Sequence, residues 1–134
     1  MKNEFIPYEE ALALKELGFD EYCFGSFGIK HQTFTPSTMT AQDKTNTLGL
    51  MLAPLYQQAF KWFREKYQLH STITSISQES WQWHITKPSE SLGKMYEEDF
   101  YEYEEAELAC LVKLIEIVNQ NKEDEYNNRF NSIK

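Results

Sequence analysis

His31, His70, His84, Cys23 and Cys110 are the residues here that could ligate a transition metal or, with a serine or cysteine nucleophile, carry acyl-transfer chemistry. Structural zinc sites draw their ligands in close pairs such as C-x-x-C or H-x-x-x-H, because two side chains one turn apart already fix half of a tetrahedron. None of these five residues stands at such a spacing, and the two cysteines lie 87 positions apart. The strained G-x-S-x-G elbow that exposes a nucleophilic serine is missing, and neither cysteine has a recognisable catalytic context. The thiols therefore read as buried free cysteines and the imidazoles as surface or hydrogen-bonded groups. No catalytic residue, cofactor or metal ligand is expected.

A second group is acidic. Glu97, Glu98, Asp99, Glu102, Glu104, Glu105 and Glu107 could hold a divalent cation or supply an acid and base pair. The spacing is not that of an EF-hand loop, and carboxylates ahead of a helix complement its positive end without any ligand. Gly25 and Gly28 in "FGSFG" resemble a phosphate loop loosely, with no Walker pattern around them. Trp81 and Trp83, two positions apart, suit the buried side of a strand or a stacking site. Together with His84 they are the candidate lining of a ligand pocket. The candidate contact surface is Trp62, Tyr101, Tyr103 and Glu104.

The elements that must position these residues follow from periodicity. "IPYEEALALKELGFDE" predicts a helix, with Pro7 at its start, Glu9 and Glu10 in the first turn and a stop at Gly18-Phe19. "YCFGSFGI" reads as a strand, and residues 31–50, rich in Thr, Ser, Asn and Asp, as a long loop. Leu52, Leu55, Tyr56, Ala59, Phe60, Phe63 and Tyr67 form the apolar stripe of a second helix, with Trp62 partly off it. "STITSIS" and "SWQWHIT" around "QE" predict a hairpin. Leu108, Leu111, Val112, Leu114, Ile115, Ile117 and Val118 predict a last helix with a wide apolar face, followed by a polar tail that frays from about 122.

A chain of 134 residues suits one domain, spanning 1–134, and 41% hydrophobic residues suffice for a core. Strands and helices without a repeating βαβ rhythm predict an α+β fold, two-layered, with about three helices on one face of a small, about three-stranded sheet containing the hairpin. The net charge is −8, and of this residues 88–134 contribute −7, from 5 basic and 12 acidic side chains. That balance disfavours direct nucleic-acid binding. No stretch approaches a membrane span and the N-terminus has no apolar signal core, so a cytoplasmic protein is expected.

Three stretches, "IPYEEALALKELGFDE", "LAPLYQQAFKWFREKYQL" and "YEEAELACLVKLIEIV", together resemble small proteins of phages, prophages and mobile elements of Bacteroidetes-type bacteria. The resemblance covers roughly half the chain, implies a setting, and transfers no activity or site residue. The favoured expectation is thus a non-enzymatic accessory protein that binds another protein or itself. The alternatives are a small-ligand binder or enzyme with a pocket between helices and sheet, and an acidic nucleic-acid mimic that blocks a DNA-binding protein.

Overall fold

The computed structural model describes residues 4–21, 23–28, 32–39, 50–88, 94–95 and 99–132. Its elements run α1 (Tyr8–Glu16), β1 (Cys23–Gly28), β2 (Phe34–Met39), β3 (Leu50–Leu52), α2 (Tyr56–Tyr67), β4 (His70–Ser77), β5 (Ser80–Thr86), β6 (Lys94–Met95) and α3 (Tyr103–Ser132). The class is α+β. The strands make two antiparallel sheets, ordered β2-β1-β3 and β4-β5-β6. The chain divides into two compact units, Met1–Lys66 and Tyr67–Lys134, each with one of the sheets.

In the first unit α1 ends as its sequence requires. Gly18, at φ +101°, takes the left-handed conformation that costs a side chain dearly. Its N–H donates to the Lys15 carbonyl at 3.0 Å while the Phe19 N–H reaches back to Leu14 at 2.9 Å, so two of the carbonyls left over at the helix end are satisfied. Phe19 then turns inward, its ring edge-on to Trp62 at 5.5 Å. Helix α2 buries Tyr56, Ala59, Phe60, Trp62 and Phe63, an aromatic stripe that explains the ring density here as packing. It begins at Tyr56, after Pro54. Leu52, expected on the helical stripe, belongs instead to β3, and Leu55 makes an isolated bridge to Phe5.

Residues 31–50 are not wholly loop. Phe34–Met39 is a strand paired with β1, and Leu50 begins β3; residues 31 and 40–49 lie outside the described part. Pro36 obscured β2, because proline has no N–H to give a ladder. It is tolerated on an edge strand, which is the place β2 occupies.

Gly25, facing Pro36, marks where backbone and rings meet. A Cβ there would come within 2.6 Å of Phe34 and 2.9 Å of Phe5. Those two rings sit 4.7 Å apart, and Phe34 also abuts Phe27 at 5.6 Å, so neither can easily retreat. Gly25→Ala is expected to cost about 1–3 kcal/mol, read as a lower urea midpoint at unchanged slope.

In the second unit the hairpin follows the predicted boundaries closely, with residues 78 and 79 as its turn. Trp83 and Ile85 are buried at 2% exposure each, and α3 lies against β5 and β4. The helix buries Ala106, Cys110, Leu111, Leu114, Ile115, Ile117 and Val118, whereas Leu108 of the expected apolar face is half-buried and Val112 is exposed, so the face is narrower than its sequence predicts. The polar tail beyond 122 is helical. Helix α3 continues through Ser132 without a proline or glycine to stop it, and Gln120 donates to Asp124 at 3.2 Å one turn on.

Candidate functional site

Strand alternation decides how the expected pocket residues are arranged. Ile73 stands opposite Trp83, and Thr72 opposite His84, so Trp83 faces the core while the half-buried His84 faces the other side of the sheet. Trp81 shares the side of Trp83 but is only half-buried. The three do not converge on one cavity. A cleft of about 370 Å³ is lined from α3 by residues that include Lys113, Glu116, Ile117 and Gln120, and none of Trp81, Trp83 and His84 borders it.

What Trp81 does instead is hold the start of α3. Its N–H donates to the Phe100 carbonyl at 2.8 Å, and the Phe100 N–H returns to the Trp81 carbonyl at 2.9 Å. The Trp81 ring meets Tyr103 edge-on, with centroids 5.2 Å apart. The neighbouring Gln82 donates to the Asp99 carboxylate at 2.7 Å. Residues 99–103 are therefore tied to β5 at Asp99, Phe100 and Tyr103. Between these ties Tyr101 remains 79% exposed. Around it Asp99, Glu102, Glu104 and Glu105 are exposed as well.

An aromatic side chain with few degrees of freedom, carried on fixed backbone and rimmed by carboxylates, is suited to contact with a partner. Its ring supplies area at little entropic cost and a face for a cation, and the carboxylates accept from guanidinium or ammonium groups. Tyr101 and Glu104 of the expected contact surface thus lie in one exposed segment, with Tyr103 half-buried behind them. Trp62 is not part of it. Only 6% exposed, it packs against Phe19 and Phe63, with the Lys66 ammonium over its ring at 4.9 Å. Its position off the α2 stripe is explained by the turn after α1, which brings Phe19 to that side. The ties at Gln82 and Phe100 were not legible, because they depend on which strand lies beside residues 99–100.

The remaining reactive groups are inward. Cys23 and Cys110 are buried, and burial pushes both thiols up to about 12, helped by the charge of Glu21 at the first and of Glu107 at the second. Hydrogen bonds involving Gln58 and Ser71, respectively, act in the opposite sense. The nucleophile is the thiolate, so thiols held this high are inert at neutral pH. Both are expected to resist iodoacetamide at pH 8 in the folded protein and to react in urea, which mass spectrometry of the alkylated chain would show. Since folding raises these values from about 9, their contribution to stability is full below pH 9 and is lost as the pH rises toward 12.

Among the described residues no three of His, Cys, Asp and Glu gather so as to hold a metal ion. No described helix is long and apolar enough to cross a membrane. Comparison of the chain with protein-family models, with curated proteins and with solved structures produced no match.

Proposed function

We propose that this chain is a non-enzymatic binding protein whose contact surface for another protein is centred on Tyr101. The observation that carries the reading is the display of that ring. Asp99 and Phe100 on one side and Tyr103 on the other are tied to β5, yet Tyr101 stands 79% exposed among carboxylates. A large exposed aromatic on fixed backbone is the usual anchor of an interface, and an acidic rim selects a partner with lysine or arginine at the matching place. The charge of −7 carried by residues 88–134 supports the same choice. The resemblance of the helical stretches to small proteins of phages and mobile elements supports an accessory role in such a setting, inside a bacterial cell.

The test is affinity capture from a lysate of a Bacteroidetes-type bacterium, read by mass spectrometry, with Tyr101→Ala beside the wild type and Lys61→Ala as an exposed control. The expected result is a stoichiometric basic partner kept by the control and reduced at least about tenfold in Tyr101→Ala, since a hot-spot aromatic is worth 2 kcal/mol or more. Raising salt weakens the capture further. The same proteins captured in equal amount by Tyr101→Ala would overturn the reading.

A further inference from the structure

We infer that β4 is a pairing edge for a second copy of this chain, joined antiparallel to the β4 of its partner about a two-fold axis. The inference rests on residues other than the Tyr101 surface. An outermost strand offers a row of N–H and C=O groups to any passing strand, and proteins blunt such edges by shortness, proline or charge. Among the described residues, three of the four edges are blunted in these ways. β3 has three residues, β6 has two, and β2 carries Pro36.

β4 is different. It is eight residues long, reads HSTITSIS, and contains no proline and no Lys, Arg, Asp or Glu. None of its residues is buried. Thr72, Thr74, Ser75, Ile76 and Ser77 are exposed, Ile76 at 54%. One irregularity, between Ser75 and Ser77, leaves His70–Ser75 in unbroken register with β5. That is six residues, or about 20 Å of edge.

Charge argues for a second copy as the occupant. Each chain carries −8, so two copies repel wherever acidic surfaces approach. From Tyr67 to Thr86 the one formally charged side chain is Glu79, at the turn of the hairpin. The β4 edge therefore lets two copies meet without opposing like charges, and antiparallel pairing is self-complementary about a two-fold. Residues opposite each other share a face, so the axis runs between the two copies of a single residue. Centred on Ile73, the pairing sets Thr72 against Thr74 and Ser71 against Ser75. A contact this narrow covers less than the roughly 1,600 Å² of a standard interface, which makes the dimer weak, with a dissociation constant on the order of 10 μM.

The experiment is sedimentation equilibrium of the full chain from about 1 to about 300 μM, a range that brackets such a constant. The expected result for the wild type is a mass rising from one chain to two. Thr72→Lys/Thr74→Lys, on the exposed side of the strand, is expected to keep the wild-type circular dichroism and to weaken the dimer at least tenfold by placing lysines opposite lysines. Thr72→Glu/Thr74→Lys puts opposite charges across the same axis and is expected to recover the wild-type constant within about threefold, cross-strand pairs of opposite charge being favourable. A wild type monomeric throughout overturns the inference and leaves the edge to a foreign strand. A dimer that ignores the lysine pair overturns it as well, by placing the interface elsewhere.

Discussion

Trp83→Ala is expected to lower the stability of the second unit by about 3–5 kcal/mol, the range for removing a large aromatic from a packed core. Trp83 is 2% exposed, lies opposite Ile73 across the hairpin and faces the side on which α3 packs. Removing the indole withdraws that apolar surface from the packing between helix and sheet, and the hairpin backbone cannot collapse to fill the gap while the paired strands fix it. Urea unfolding followed by circular dichroism checks this, with Trp83→Phe, which keeps most of the volume, expected to lose less than half as much. The ring of Trp81 provides an internal contrast: it is half-buried, and its loss loosens the tie to Tyr103 rather than opening the core. A Trp83→Ala cost below about 1 kcal/mol would mean that this site is not the packed core described.

Phe63→Ala is expected to cost the first unit a similar amount, about 3–5 kcal/mol. Its side chain is fully buried, the largest so enclosed among the described residues. The ring stands 5.1 Å from that of Trp62, which in turn rests on Phe19, so one deletion removes a member of a row of three aromatics. Edge-to-face pairs of this kind add about 0.5–1.5 kcal/mol beyond area. The urea midpoint measures the loss, and Trp62 fluorescence, read in a Trp81→Phe/Trp83→Phe background, reports whether its surroundings have become wetter. Phe63→Leu, which restores apolar volume without the ring, is expected to recover part of the stability.

These cores were largely legible because period and punctuation agreed. Gly18-Phe19 ended α1 where a left-handed residue and an inward-turning ring were predicted, and the hairpin appeared at Gln78-Glu79 although the turn lacks an Asn-Gly signal. The alternation of Trp81, Trp83 and Ile85 against Gln82 and His84 carried the register. What failed was local reading where tertiary pairing decides. β2 hides in a Thr-rich stretch with a proline, β3 follows from its partner β1, and β6 has two residues, too few for any period. The same holds for the candidate site. Tyr101 and Glu104 could be picked out as aromatic and acidic near a helix start, but their fixed placement comes from Trp81 and Gln82, about twenty positions earlier. Trp62 shows the reverse, a ring that helical period puts at the margin and that Phe19 from another element covers.

Helix α3 is one element by its hydrogen bonds and two by its surroundings. Over its 30 residues, about 45 Å, the buried positions end at Val118, and every residue from Asn119 to Phe130 is exposed. Amide protons along it should therefore exchange with deuterium in two regimes. Those before Val118 are released only when the unit opens as a whole, whereas those beyond are released by fraying inward from the C-terminal end, a process needing no loss of core. A protease would find the same boundary, trimming about the last four turns while the remainder of the helix stays on its sheet.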